Sequence, residues 1–191
     1  MQYKIVADSS SNIRAFDGID FAGVPLKIIT KEKEYVDTPD LDLEQTAKYI
    51  SDCLAPVQDT PVTGSMISNY VKKGLIAKPV RKQYGREQIA QLMFIAAAKA
   101  VLSMDDVHLM LTVQRQTYPS QIAYDYFRTE FKYVLDCVFS RESELRALDA
   151  GATDQKVMLR NTIIALAHKI YLDKLFASIR EDLCQPQESK E

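Results

Sequence analysis

The chain has 191 residues, of which 47% are hydrophobic and 26% charged, and its formal net charge is −2. These values are typical of a soluble globular protein with one or two domains. No apolar run is long enough to cross a bilayer, and residues 1–4 lead into a strand rather than a signal peptide, so we exclude a membrane partner and expect a cytoplasmic protein.

Cysteine usage bears on the compartment and on metal chemistry. Cys53, Cys137 and Cys184 are odd in number, widely spaced and without a C-x-x-C motif. This pattern favours reduced thiols over disulfides. A metal-sensing role, which would need clustered cysteines, is rejected, and no cofactor is expected.

The first 40 residues form a predicted β-rich segment. Short strands are predicted over 3–7, 23–30 and 33–37 because these stretches are rich in β-branched and aromatic residues. Asp8 and the following serines have no His or Lys near in sequence, so a capped turn is favoured over a catalytic cluster. Three short strands make only a marginal sheet. We expect residues 1–40 to pack on the helical part, to pair with a second copy, or to stay partly loose.

The residues 8–10, 24–28 and 34–37 carry a resemblance to the DegV family of fatty-acid-binding proteins, over about residues 1–45. The resemblance implies binding of a fatty acid. However, residues 59–65 lack the Thr-Ser-x-Pro-Ser type of motif that holds the lipid carboxylate in that family, and the second DegV domain is missing. Small-molecule or fatty-acid binding therefore stands as the alternative function.

The next stretch, 41–116, is predicted to be a helix-turn-helix domain with a basic hairpin. Helices are predicted over 42–54, with Asp40 or Asp42 as its cap, and from a cap at Thr63 to a stop at Gly74. A third helix is predicted over 86–103 with its apolar residues on one side, and a further helix starts at Ser103 or Asp105. The segment 76–84, broken by Pro79, is predicted to be extended. His108 is interpreted as a surface or core histidine rather than a metal ligand.

Six basic residues lie in one short window that contains no acidic residue. They are Lys72, Lys73, Lys78, Arg81, Lys82 and Arg86. On a slightly acidic chain such a window is a local patch rather than a bulk property. The alternative is a solvated hairpin that happens to be basic and has no binding role.

The residues 70–76 and 82–84 resemble the winged helix-turn-helix of MerR-like regulators, and 102–107 resembles the helix start that follows in that family. From Met66 onward the string is closer to a bacterial family, domain of unknown function DUF1836, with a resemblance over about 41–175. The resemblance implies that the helix 64–73 enters a DNA groove. Ser68 and Asn69 replace residues that often touch DNA in MerR proteins, so the base preference does not carry over.

From these two observations, the charge window and the resemblance, we predict a DNA-binding surface. Ser65, Ser68 and Asn69 are assigned to base edges, since Asn suits adenine. The six basic side chains are assigned to phosphates. Double-stranded DNA is therefore the expected partner.

The remaining residues, 117–191, are predicted to be helical, with long amphipathic helices over 120–141 and 153–183. These helices pack either on each other or across a two-fold axis, and a homodimer is favoured for a DNA reader. Aromatic residues at helical spacing are interpreted as core in preference to a ligand pocket. They are Tyr124, Tyr126, Phe127, Phe131 and Tyr133.

The predicted fold is thus mainly α: a β-rich segment (1–40), a MerR-like winged helix-turn-helix domain (41–116) and a helical dimerisation or effector region (117–191). The predicted function is transcriptional regulation, with a small-molecule effector left open. A helical module that binds protein is a third possibility. With two histidines and no glycine-rich phosphate loop, we expect no enzymatic activity.

Overall fold

The computed structural model describes residues 40–140 and 144–184, and within them the chain is mainly α-helical, as predicted. The three predicted strands lie outside the described residues, and so does most of the segment that resembles DegV proteins. The helices are α1 (Leu43–Leu54), α2 (Gly64–Lys72), α3 (Arg86–Ala98), α4 (Met104–Thr117), α5 (Ser120–Ser140) and α6 (Asp154–Cys184).

The first helix begins after Asp42, one of the two residues predicted to cap it. The Asp42 carboxylate accepts a hydrogen bond from the Gln45 amide at 2.9 Å, and the Gln45 side chain accepts one from the Asp42 amide at 3.1 Å. This reciprocal capping box satisfies two backbone donors that a helix start would leave unpaired. The Ser51 hydroxyl then accepts a hydrogen bond from the amide of buried Val62 at 2.9 Å, which fixes the end of the proline-containing turn against α1.

A first hydrophobic core joins α1, α2 and α3. Ile50, Ile67, Ile89 and Leu92 are essentially inaccessible to solvent within it. Each of these side chains contributes about 1.5–3 kcal/mol to folding through burial. This core fixes the position of α2, the helix assigned to DNA.

A second core joins α5, α6 and one side of α3. Phe131, Val134 and Ile163 form its centre, and Phe94 from α3 meets Phe127 edge to face, with ring centroids 5.3 Å apart. Such aromatic pairs add about 0.5–1.5 kcal/mol beyond area burial. In this chain α5 and α6 therefore pack on each other, which is the intramolecular alternative considered above.

The third helix differs from its prediction in two respects. It was expected to bury one side, but its buried residues run around almost the whole circumference because α3 separates the two cores. It was also expected to reach Ser103, but it ends at Ala98. Tight turns follow, such as Val101 N to Ala98 O at 3.0 Å, and the Ser103 hydroxyl caps α4 by accepting from the Asp106 amide at 3.1 Å.

Within the described ranges, no helix is both long and apolar enough to cross a membrane.

Candidate nucleic-acid interface

The second helix separates a buried face from a polar face. Ile67 and Tyr70 point into the first core, while the predicted base-reading residues and Lys72 are exposed. At about 100° of rotation per residue, the exposed four fall on an arc of about 100° centred opposite Ile67 and Tyr70. They are Ser65, Ser68, Asn69 and Lys72. The helix therefore presents one continuous polar face to solvent.

The start of this helix lies close to α1. The Thr63 hydroxyl accepts a hydrogen bond from the Met66 amide at 3.3 Å, and the Ser65 hydroxyl lies 2.9 Å from it. A Cβ placed on Gly64 would come within 3.0 Å of Glu44 Oε1 and 3.2 Å of Leu43 Cγ. Gly64 thus permits a close approach of the two helices and sets the Glu44 carboxylate beside the positive end of α2.

The end of α2 has the predicted glycine stop. Gly74 has a φ of 74°, its amide donates to the Val71 carbonyl at 3.0 Å, and the Leu75 amide donates to the Tyr70 carbonyl at 3.0 Å. This pair of bonds is the Schellman motif, in which a residue with positive φ reverses the chain and satisfies terminal carbonyls. Lys72 and Lys73 remain exposed at this end.

The predicted extended segment contains a minimal hairpin, which we call the basic hairpin (residues 78–84). Val80 and Gln83 exchange two backbone hydrogen bonds of 3.0 and 2.8 Å, and Tyr84 pairs in the same way with Leu41 at 2.7 and 3.1 Å. The two residues at the tip, Arg81 and Lys82, have φ values of 51° and 65°. A two-residue turn with both φ values positive normally takes Asn-Gly or a similar pair.

Two side chains whose role was not predicted from the sequence hold the basic hairpin in place. Gln88 Nε2 donates to the carbonyls of Ala77 and Lys78 at 3.0 and 3.2 Å, while its Oε1 accepts from the Gly85 amide at 2.9 Å. From α4, Arg115 donates to the Leu75 carbonyl. Both ends of the segment after α2 are therefore tied to helices, so its basic side chains project from a fixed backbone.

All six basic residues of the window are exposed, and Val80 at the hairpin is 73% exposed. Carboxylates from other parts of the chain lie close to this window. Asp40 Oδ1 lies 3.3 Å from the position of a Cβ on Gly85, and Glu87 accepts a hydrogen bond from Ser120 at 2.5 Å. The arrangement can attract a polyanion along the helix end and the hairpin.

The turn at the hairpin tip yields a stability prediction. Replacing Arg81-Lys82 by Asn-Gly is expected to raise the free energy of unfolding by about 1–2 kcal/mol, because a non-glycine residue at positive φ costs about 1–3 kcal/mol. Denaturant titration would measure the gain as a higher unfolding midpoint with an unchanged m-value.

The matched control for this turn is Lys78→Gly. Lys78 is not among the described residues with positive φ, so glycine there should destabilise by about 0.5–1 kcal/mol through added chain entropy. A destabilised Asn-Gly variant would contradict strain at the tip.

Comparison with known proteins finds that part of the chain is similar to one family. Residues 33–127 match the family model described as "Domain of unknown function (DUF1836)". This match supports that family as predicted, but over different bounds from the expected 41–175, and the MerR-like and DegV-like resemblances receive no support from it. No curated protein and no solved structure matches the chain.

Proposed function

We propose that the segment 33–127, which matches the DUF1836 family, contains a MerR-like winged helix-turn-helix that binds double-stranded DNA, and that the protein is a cytoplasmic transcriptional regulator. The observation that carries the proposal is the exposure of six cations within one short stretch of the chain. Six exposed cations follow the polar face of α2 with no carboxylate between residues 60 and 86. The basic hairpin would be the wing.

The polar face of α2 suits a major groove. Side chains of Ser65, Ser68 and Asn69 project from successive turns of a helix whose opposite face is buried. A helix fits the major groove, and an Asn amide pairs with the edge of adenine through two hydrogen bonds. Lys72 and Lys73 at the end of the helix would then bind the flanking phosphates.

The basic hairpin supports the same function through its conformation. Arg81 and Lys82 occupy backbone positions that Asn and Gly would occupy at lower energy. Strain of this kind persists where the surrounding structure enforces it and is typical of functional sites. Cations at the tip of a fixed turn are well placed to bind phosphates beside the groove that α2 occupies.

We further propose that the regulator is a homodimer formed through the carboxyl-terminal half of α6. Apolar side chains spaced four, three and four residues apart are exposed there, as in one stripe of a coiled coil. They are Leu172, Phe176, Ile179 and Leu183.

The spacing of four, three and four residues is the same in both chain directions. The stripe can therefore pack against the same stripe of an antiparallel second copy. With the two-fold axis between residues 177 and 178, Phe176 of one copy lies opposite Ile179 of the other. Asp173 and Arg180, both exposed, then flank the seam with opposite charges. A two-fold dimer would present two DNA-binding surfaces, as paired half-sites require.

The experiment is a titration of fluorescent genomic duplex fragments with the full chain at several salt concentrations. If all six cations of each chain bind phosphates, log K should fall against log salt with a slope of about −5 for one bound chain and about −11 for the dimer. Sedimentation of the complex should give two chains per site. Binding that is insensitive to salt, or a protein partner that survives nuclease treatment, would overturn the proposal in favour of a protein-binding module.

The alternative function, small-molecule or fatty-acid binding related to DegV proteins, rested on residues 1–45, almost all outside the described part. A different observation favours a ligand, namely a cavity between α3, α4, α5 and α6.

A further inference from the structure

A cavity of about 280 Å³ lies where the two cores meet. Helices α3 and α4 supply one side of it, and α5 and α6 supply the other. Its apolar wall includes Phe94, Met110, Phe127 and Leu159. Cavities near 300 Å³ are at the small end of ligand sites. The aromatic residues of α5 were predicted to be core, yet Tyr124, Tyr126 and Phe127 border this cavity.

The described residues that border the cavity include one cation, Lys156, and no carboxylate. The Lys156 ammonium lies 5.6 Å from the ring centroid of Tyr126 and has no carboxylate partner among the described residues. A cation without a carboxylate partner beside an apolar wall favours a ligand that brings an anionic acceptor.

The cavity wall is also connected to the basic hairpin. Gln91 lines the cavity and is buried, and its Oε1 lies 3.5 Å from Arg115 Nη2, the guanidinium that donates to the Leu75 carbonyl. Leu75 is the residue directly after the Gly74 stop. A ligand that displaces the Gln91 side chain therefore acts on the contact that holds the start of the segment leading to the hairpin.

We propose that this cavity binds a small apolar molecule carrying one carboxylate, with Lys156 as the counter-ion, and that its occupancy alters DNA affinity through Gln91 and Arg115. The second part rests on the proposed DNA-binding function, whereas the first does not. The ligand enters with its chain among the aromatic and methionine side chains and its carboxylate at Lys156.

Decanoate is the probe for the binding step, and decanol is the matched neutral control. Calorimetry on the full chain should detect saturable decanoate binding with one site per chain. Lys156→Gln should weaken decanoate by about tenfold or more, since a charge-assisted contact is lost, and should leave decanol unchanged. Ala123→Phe, which fills the cavity, should abolish binding of both, with circular dichroism checking that the variant is folded.

Two outcomes would overturn the binding step. One is the absence of saturable decanoate binding by the wild-type chain. The other is a Lys156→Gln variant that binds decanoate as tightly as the wild type. This result would show that Lys156 is not the counter-ion, and the assignment of a carboxylate ligand would fail.

The coupling step is tested by DNA titration with and without saturating decanoate. A change in the DNA dissociation constant of about fivefold or more is expected for an allosteric link. Arg115→Met should keep decanoate affinity yet lose this change, while Arg115→Lys, which retains a donor, should restore part of it.

The outcomes of this titration separate the two proposals. Decanoate binding with an unchanged DNA constant overturns the coupling alone. Decanoate binding without any DNA binding overturns the regulator and leaves the ligand site standing.

Discussion

Reversing the charge of Lys78 and Lys82 to glutamate is expected to lower the affinity for duplex DNA by about a hundredfold or more. Each contact between a cation and a phosphate contributes about 1.5–3 kcal/mol, and a carboxylate at the same place adds repulsion. Both side chains are exposed, and the backbone of Lys78 is held by Gln88. The loss should therefore come from the charge and not from rearrangement of the hairpin.

The salt dependence distinguishes this cause from a general loss of folding. Two phosphate contacts fewer in each chain should reduce the slope of log K against log salt by about 2 per bound chain. The same double variant should weaken binding to all duplex sequences about equally, because phosphate contacts carry no base information. Anisotropy titrations at three salt concentrations on two unrelated duplexes would measure both quantities.

The matched control reverses the same number of charges elsewhere. Lys48 is exposed and Lys132 is half-buried, and each pairs with a carboxylate one helical turn away, at 2.9 and 2.8 Å. Such surface pairs contribute about 0.2–1 kcal/mol to stability, so Lys48→Glu with Lys132→Glu should leave a folded chain of equal net charge. If this control weakens DNA binding as much as the hairpin variant does, the basic hairpin is not the phosphate-binding surface.

Base reading should respond differently from phosphate binding. Asn69 lies on the outward arc of α2, where its amide would meet a base edge rather than a phosphate. A regulator needs base contacts from this helix face in addition to phosphate contacts from the hairpin, whereas a protein that binds any polyanion needs only the phosphate contacts. It also explains why the charge reversal must be compared on more than one duplex.

Local signals in the sequence predicted three helix starts and the end of α2, although α3 ends at Ala98 and not at Ser103 as predicted. Asp42, Thr63 and Ser103 cap the helices that they were expected to start, and Gly74 ends α2 with the expected positive φ. Each of these features depends on a few neighbouring residues, so its chemistry is visible without the fold.

The features that the sequence did not predict depend on contacts between distant residues. Gln88 and Arg115 reach the hairpin segment across 10 and 40 positions, and no local pattern marks them. The hairpin tip lacks the Asn-Gly or Asp-Gly pair that identifies such turns, so Arg81 and Lys82 gave no turn signal. Burial all around α3 likewise follows from its place between two cores, which the periodicity of one helix does not reveal.

A buried ion cluster between α5 and α6 was also missed, although a signal for it existed. Glu130 lies three residues after Phe127, and Arg160 three residues before Ile163, so both charged residues fall on faces that are otherwise apolar. They are 3% and 5% exposed. Charged residues are almost never so deeply buried unless they are paired. An acidic residue on one apolar helix face and a basic residue on another therefore predict a buried ion pair between the two helices.

The cluster ties three parts of the chain together. Arg160 Nε lies 3.2 Å from Glu130 Oε1, and Arg146 Nη2 lies 2.7 Å from Glu130 Oε2. Arg160 also donates to the Arg146 carbonyl, and the Arg146 guanidinium stacks 4.2 Å from the ring centroid of Tyr133. The segment between the two long helices is thus anchored to both of them through one carboxylate.

Removing one partner of this cluster should be strongly destabilising. Arg160→Met is expected to lower the free energy of unfolding by about 3–5 kcal/mol, because the Glu130 carboxylate would remain buried with a single exposed partner. At about 2–4 °C per kcal/mol for a chain of this size, the melting temperature should fall by about 10 °C. Calorimetry of the full chain would measure the change.

The double variant Glu130→Leu with Arg160→Met decides whether the loss comes from an unpaired charge or from packing. Because desolvating both ions costs nearly as much as their attraction returns, replacing the pair by apolar side chains of similar size should recover most of the lost stability. Lys132→Met, at a surface pair on the same helix, should change stability by less than about 0.5 kcal/mol. A double variant less stable than Arg160→Met alone would mean that the cluster stabilises the helix pair beyond what apolar packing can supply.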